Sequence, residues 1–248
     1  MNYAVCCVPV APIRIDADHK SEMVSQLLFG ECCIINDADT KGWVNISCKA
    51  DGYEGWCQPV HVQKITMEEY YSEDIILTAD WVNEISFNNS LMQIPLGSLI
   101  NIKNDSIQFT GNKIITGEIK NDAASIQKIA FKFLNTAYLW GGRSVFGIDC
   151  SGFAQAVYKF LNIFLLRDAD LQVTQGEAVD FLQEGQCGDL AFFDDEEGKI
   201  VHVGILLNSH EIIHASGKVR VDKIDNQGIV NAETGERTHQ LRIIKRFF

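Results

Sequence analysis

The hydrophobic rhythm of the chain changes near residue 121. Before that point, apolar residues come in short runs broken by turn formers. After it they recur at helical spacing, and later the short runs return. Near the N-terminus, segments 3–9, 26–29, 32–36, 43–48 and 53–59 read as strands, punctuated by Gly30, residues 37–40, Gly42 and Asp51-Gly52. Five short strands in so little chain predict a small β-barrel. A second β-rich stretch over 65–120, through "IILTADWVNEI", "LMQIPLGSLINI", "SIQFTG" and "NKIITGEI", predicts a second, divergent barrel from strand rhythm alone. Beyond 121, Ile126, Ile129, Ala130, Phe133, Leu134 and Ala137 form a helical stripe, with Asp122 as its N-cap. A second helix begins near Cys150 and carries Phe153, Ala154, Val157, Tyr158 and Leu161 on one face. A third, shorter helix is expected over 176–182, and strands over 190–193, 202–207, 211–215 and 241–247. Helices first and strands afterwards predict an α+β domain. The expected organisation is therefore 1–64, 65–120 and 121–248.

Charge narrows the function classes. A net charge of −12 over 248 residues argues against nucleic acid and anionic membranes as partners, because little would neutralise phosphates. No segment is apolar for long enough to span a bilayer. The start, "MNYAVCCVPVAPIR", has neither a basic leader nor a small-residue cleavage site. A cytoplasmic protein is expected, or a periplasmic or exported one if a signal segment has been removed. The eight cysteines are Cys6, Cys7, Cys32, Cys33, Cys48, Cys57, Cys150 and Cys187. None forms a CxxC unit, which argues against structural zinc, and a chain of this size has little need of a disulfide framework. Most read as buried, reduced thiols.

Cys150 differs from the others by position. It stands where the glycine-rich lead "YLWGGRSVFGID" meets an amphipathic run, at the start of a helix. The unsatisfied N–H groups and dipole of a helix N-terminus favour a thiolate, so this thiol is expected to ionise more readily than an ordinary one. A nucleophilic thiol also needs a base and a group that orients the base. Of six histidines, His202 opens the strand "HVGILL" and His214 lies in "EIIHAS". A three-residue hairpin loop over 208–210 would set Leu207 opposite Glu211 and Gly204 opposite His214. His202 and His214 would then be diagonal neighbours on one sheet face, with room left by Gly204. The "GGRSVFG" glycines lack the Gly-Lys-Ser/Thr ending of a phosphate loop. Cys150, His202 and His214 show no spacing signal for a metal site.

Taken in order, "GIDCSGFAQAVYKF", "CGDLAFF", "HVGILL" and "IIHASG" resemble the successive blocks of the NlpC-type, papain-like cysteine peptidases of bacterial cell-wall peptides. "SEMVSQLLFGE" and "DGYEGWCQP" resemble bacterial SH3-like barrels. The first resemblance implies a papain-like domain, with helices packed on an antiparallel sheet. It implies Cys150 as nucleophile, His202 as base, His214 as orienting residue and Tyr138 directed at the thiol or oxyanion, with no cofactor and no metal. The layout as a whole resembles a narrower group, the γ-D-glutamyl-L-diamino acid peptidases, which release L-Ala-γ-D-Glu from murein peptides with a free N-terminal alanine. That resemblance implies Asp149 and Ser151 beside the nucleophile, with Asp149 toward the substrate amine. It implies Arg167-Asp168 lining the pocket, with Arg167 toward a carboxylate, and Glu22 and Tyr53 from the first barrel reaching the amine. The expected partner is a murein-derived peptide, L-Ala-γ-D-Glu-diamino acid, and the expected state is a monomer in peptide recycling. Two rival readings stay open: an amidase or acyltransferase with the same residues, and a non-catalytic binder of wall peptides.

Overall fold

The computed structural model describes residues 2–72, 76–100 and 107–248. The chain forms two compact units. One comprises Met1–Ile119 with Trp140–Phe146, and the other Lys120–Leu139 with Gly147–Phe248.

In the first unit, seven strands form one antiparallel sheet: β1 (Asn2–Cys6), β2 (Val10–Arg14), β3 (Met23–Leu28), β4 (Cys32–Ala38), β5 (Val44–Cys48), β6 (Glu54–Cys57) and β7 (Val62–Lys64), in the order β3-β2-β6-β5-β4-β1-β7. Alternation decides which residues turn inward. Ala4, Ala11, Ile13, Leu27, Cys33, Ile46 and Cys57 make the core, and half-buried Tyr53 packs against it. All eight cysteines are free thiols, of which Cys7, Cys32 and Cys187 are only half-buried. The second β-rich stretch does not form a separate unit. It continues the first unit as α1 (Met67–Tyr70), β8 (Ile76–Thr78), β9 (Val82–Phe87), β10 (Ser90–Pro95), β11 (Ile107–Gln108) and β12 (Lys113–Ile115). Among the described residues these strands make a three-stranded sheet, β10-β9-β11, and a two-stranded one, β12-β8. Ile85 and Ile94 pack with Phe29, just past β3, in a core cluster distinct from that of the seven-stranded sheet. The end of the expected segment "LMQIPLGSLINI" lies outside the described residues. Trp140–Phe146 is held in this unit by Arg143, whose backbone N–H donates to Gln26 Oε1 (2.8 Å) and whose Nη1 donates to Glu31 Oε2 (2.9 Å).

The second unit holds α2 (Ala123–Ala130), capped by Asp122, which accepts from the Ser125 N–H at 2.9 Å. Two short strands, β13 (Arg143–Ser144) and β14 (Gly147–Ile148), precede α3 (Cys150–Phe160) and α4 (Ala169–Gln172) along the chain. The sheet follows: β15 (Glu177–Val179), β16 (Leu190–Asp194), β17 (Ile200–Asn208), β18 (Glu211–Ser216), β19 (Lys218–Asp225), β20 (Gly228–Val230) and β21 (Arg237–Arg246). Its order is β15-β21-β16-β17-β18-β19-β20, and β21 also pairs with β20 through Ile229↔His239. Strands β16 to β21 therefore close on themselves. The expected antiparallel sheet is present, but as a ring rather than an open layer. Ala191, Phe193, Leu206, Ile212, Ile224, Ile229 and Ile244 share one core. The helix expected over 176–182 is absent. Gly176 turns the chain with φ +69°, and β15 then pairs with β21 through Glu177↔Arg246.

Candidate active site

Helix α3 packs against β17 and β18. Phe153, Val157 and Tyr158 are fully buried, each contributing roughly 1.5–3 kcal/mol to anchoring the helix. Its start is fixed by Asp149, whose Oδ1 accepts the Gly152 N–H at 2.7 Å. Cys150 occupies the first helical position, where its own N–H has no intrahelical acceptor.

Asp149 is in turn held by Arg167. Arg167 Nη2 lies 2.5 Å from Asp149 Oδ2, Nη1 lies 3.1 Å from Oδ1, and Nη1 also donates to Ser151 Oγ at 2.8 Å. Arg167 and Asp149 are both buried. Arg167, expected toward a substrate carboxylate, thus also braces the N-cap of the helix that begins at Cys150. Asp149, expected to meet the substrate amine, likewise has its carboxylate engaged by Arg167, Gly152 and the Ser151 hydroxyl. Asp168 is the N-cap of α4 and half-buried.

The histidines lie where the strand register sets them. Gly204 pairs with His214, Leu206 with Ile212, and Asn208 with Glu211. The turn is one residue shorter than expected, and a bulge at Leu207 restores the same upstream register. A Cβ on Gly204 would come within 2.7 Å of Ile212 Cδ1 and 2.9 Å of His214 Cβ, so only glycine leaves the His214 ring its place. His202 Nε2 lies 2.8 Å from His214 Nδ1, and His214 Nε2 lies 3.0 Å from Asp222 Oδ2. In β19, Ile212 pairs with Asp222 and His214 with Arg220. Asp222 is thus the diagonal neighbour of His214 on the same face. Arg220 Nε lies 2.8 Å from Asp222 Oδ2, Arg220 Nη2 donates to Oδ1 at 3.0 Å, and the Ala232 N–H donates to Oδ1 at 2.8 Å.

This hydrogen-bond chain assigns the tautomers. Ionised Asp222 only accepts, so His214 Nε2 carries a proton. With Arg220 already balancing the carboxylate, His214 Nδ1 is the acceptor and His202 Nε2 the donor. The lone pair left is on His202 Nδ1. Sequence reasoning missed Asp222 and also His239, whose ring stacks on that of His202 with centroids 4.1 Å apart and planes 25° from parallel.

The electrostatics agree with a neutral resting pair. Burial, and then the neighbouring Asp149 charge, push the Cys150 thiol up to about 12, while the backbone N–H groups of Val203 and Ser151 and the Arg167 charge act the other way. Burial, the largest influence on this thiol, thus opposes the ionisation expected at the helix start. Burial, then His214 and His239, hold His202 well below the usual imidazole range. Asp222 feels burial, which raises it, but hydrogen bonds from His214, Ala232 and Arg220 outweigh that and bring it down to about 2. Burial raises the half-buried Tyr138 hydroxyl, and the charges of Cys150 and Asp149 add to this. The backbone N–H of Val203, next to His202 in sequence, points at the Cys150 sulfur. The expected nucleophile Cys150, base His202 and orienting residue His214 thus lie within one unit, with Asp222 at the end of the hydrogen-bond chain. Glu22 and Tyr53 lie in the first unit, where Glu22 Oε1 accepts the Trp140 Nε1–H at 2.5 Å.

Residues 135–238 match the NlpC/P60 family. The chain carries an NlpC/P60 domain. Residues 13–59 match the bacterial dipeptidyl-peptidase Sh3 domain, so an SH3-like domain precedes the NlpC/P60 domain. The chain is 29% identical over 217 residues to the gamma-D-glutamyl-L-lysine dipeptidyl-peptidase of Bacillus subtilis (strain 168), covering 77% of this chain and 71% of that protein. It is 26% identical over 259 residues to dipeptidyl-peptidase 6 of Lysinibacillus sphaericus, covering 90% and 92%. Its fold is similar to the crystal structure of an NlpC/P60 family protein from Bacillus cereus ATCC 10987, with a TM-score of 0.79 and 19% identity over 98% of this chain and 99% of that one. At that identity the last likeness concerns the fold alone. The NlpC/P60 domain and its dipeptidyl-peptidase relatives support a peptidase.

Proposed function

We propose that this protein is a cysteine peptidase that cleaves the γ-D-glutamyl–diamino acid bond of murein stem peptides with a free N-terminal L-alanine. The observation that carries the reading is the chain Asp222–His214–His202, which leaves one basic nitrogen on the residue next to Val203, whose backbone N–H reaches the buried Cys150 thiol at a helix start. The sulfur of Cys150 attacks the γ-carbonyl carbon as its proton passes to His202 Nδ1. Negative charge develops on the carbonyl oxygen, for which the Cys150 N–H and the Tyr138 hydroxyl are the donors at hand. The carbon–nitrogen bond then breaks, and His202 gives its proton to the departing amine. Water, deprotonated by His202, cleaves the thioester and frees L-Ala-γ-D-Glu.

Burial favours the neutral form of both thiol and imidazole, so in this reading the proton moves as the sulfur attacks. A proton transfer coupled to attack suits a base held well below the usual imidazole range, since it stays unprotonated through neutral pH. The substrate assignment is supported by relatives named for γ-D-glutamyl-L-lysine and for dipeptidyl-peptidase activity. A dipeptidyl-peptidase counts from a free amine, so an acylated N-terminus is refused and peptides already detached from the sugar are the natural substrates. That makes a role in recycling, and a cytoplasmic site of action, part of the same proposal. The test is mass spectrometry of products from L-Ala-γ-D-Glu-L-Lys, its diaminopimelate analogue and their N-acetyl forms. Release of L-Ala-γ-D-Glu from the free-amine peptides alone supports the reading. Equal cleavage of the acetylated peptides overturns the exopeptidase part, and no cleavage of any overturns the substrate class.

A further inference from the structure

We infer that His239 is a positioning residue for the base: its neutral ring is stacked face to face on His202, steering the imidazole and supporting the positive charge that the imidazole takes up. The stack has a centroid separation of 4.1 Å at 25°. The other neighbours of His202 meet it differently. His214 hydrogen-bonds its edge, and Phe193 sits tilted at 5.7 Å. A ring gripped on one face by His239 and at one edge by His214 has a single orientation left, with Nδ1 away from the sheet partner that holds Nε2.

Strand closure brings His239 there. It pairs with Ile229 of β20, while the same strand pairs with β16 two residues further on through Phe193↔Leu241. The stack therefore exists only because β21 bridges the two ends of the sheet. An aromatic π face is electronegative and attracts a cation lying over it. When His202 accepts the thiol proton it becomes that cation. The support requires His239 itself to be uncharged. Burial and then His214 lower it to about 4, against an opposing pull from Asp222. The groups facing it are His202 from β17, His214 from β18 at 5.8 Å and Asp222 from β19, the last already tied to Arg220. Phe193 of β16 adds a neutral ring at 5.9 Å, and on its own strand His239 Nδ1 is 2.9 Å from Thr238 Oγ1 while Arg237 is engaged by Asp225. Nothing in this surrounding replaces the ring if it is removed.

The inference rests on His202 being the base for Cys150, so its test reads that pair without any peptide. The rate of Cys150 carboxamidomethylation by iodoacetamide, followed by peptide mapping from pH 4 to 9, is compared across variants of matched melting temperature. His239→Phe keeps a neutral ring and should stay within about threefold of the native rate with the same pH profile, whereas His239→Ala should fall about thirtyfold, the size of one desolvated cation–π contact. His239→Lys sets a fixed cation against the forming imidazolium and should be slower still at neutral pH, recovering only under alkaline conditions. An alanine variant as fast as the native protein overturns the inference, as does a lysine variant as fast as the phenylalanine one. If the alanine variant fails to fold, the phenylalanine–lysine comparison decides. His202→Ala separates the two levels: slow His202→Ala with unaffected His239→Ala sinks the stacking role alone, while unaffected His202→Ala sinks the base assignment and this inference with it.

Discussion

Replacing Asp222 with asparagine exchanges a single oxygen for nitrogen at the far end of the histidine chain, well away from the thiol. The carboxylate accepts from His214 Nε2 at 3.0 Å, from Arg220 Nη2 at 3.0 Å and from the Ala232 N–H at 2.8 Å, and it lies 2.8 Å from Arg220 Nε. Every neighbour is a donor, so the new NH₂ group must confront donors whichever way the amide turns. Turned toward His214, it donates to Nε2 and moves the His214 proton to Nδ1. That proton meets the Nε2–H of His202, which must shift to Nδ1, and the base is lost. Turned toward Ala232 and Arg220, it keeps the tautomers but leaves facing donors unsatisfied, at a cost of about 1–3 kcal/mol for each buried group. A forced wrong tautomer costs about 10⁴ in turnover in a serine peptidase with an Asp–His pair. With the two amide orientations competing, Asp222→Asn should lose about 10²–10⁴ in kcat, with KM little changed because Asp222 touches no substrate. The assay is release of L-Ala-γ-D-Glu from L-Ala-γ-D-Glu-L-Lys, with circular dichroism to establish folding. A folded Asp222→Asn enzyme with kcat within about threefold of native would refute the tautomer chain.

Arg167→Met leaves Asp149 buried without its counter-charge and should destabilise the protein by about 3–5 kcal/mol in denaturant titrations, whereas removing both charges in Arg167→Met/Asp149→Ser should cost less; equal losses would show that the pair does not brace the α3 cap. Gly204→Ala drives a methyl to 2.9 Å from His214 Cβ and should lower kcat by about tenfold or more while leaving the thermal midpoint only modestly reduced; native kcat would remove the steric argument for that glycine. Stability should also fall on acidification. His202, held well below its ordinary value, and His239, lowered to about 4, stay unprotonated in the folded state where the unfolded chain takes up protons near pH 6.5. Their contribution is present above that value and lost as pH falls toward 4, so the melting temperature should drop between pH 7 and 4, and His239→Phe should drop less; a flat profile over that range would contradict both shifts.

The helix that begins at Cys150 was legible because its signals are local. An aspartate, a cysteine at the first helical position and an apolar stripe all lie within a dozen residues. The histidine pair was legible because strand register is arithmetic: with Gly204 opposite His214, the two imidazoles share a face even though the turn is shorter and bulged. Asp222 was hidden by its strand. The run "KVRVDKID" carries so many charges that β19 reads as loop, yet Val219 and Val221 alternate with Arg220 and Asp222, a period-two pattern that could have exposed it. Arg167 was singled out by resemblance, but its pairing with Asp149 gave no signal, because the two lie 18 residues apart and only the folded backbone brings them together. β2 was missed because Pro9 precedes it and Pro12 interrupts it, although Pro12 still pairs with Gln26. The membership of Trp140–Phe146 in the first unit is equally silent in sequence, since a buried arginine, Arg143, makes that attachment through long-range contacts.

In the proposed mechanism Cys150 carries the acyl group under the direction of the Asp222–His214–His202 chain. Intact-protein mass spectrometry of enzyme quenched in acid during turnover of L-Ala-γ-D-Glu-L-Lys tests it directly. A transient adduct equal to L-Ala-γ-D-Glu less one water is expected, mapped to Cys150, absent from Cys150→Ala and formed far more slowly in His202→Ala. An adduct on any other residue, or turnover that survives in Cys150→Ala, would contradict it.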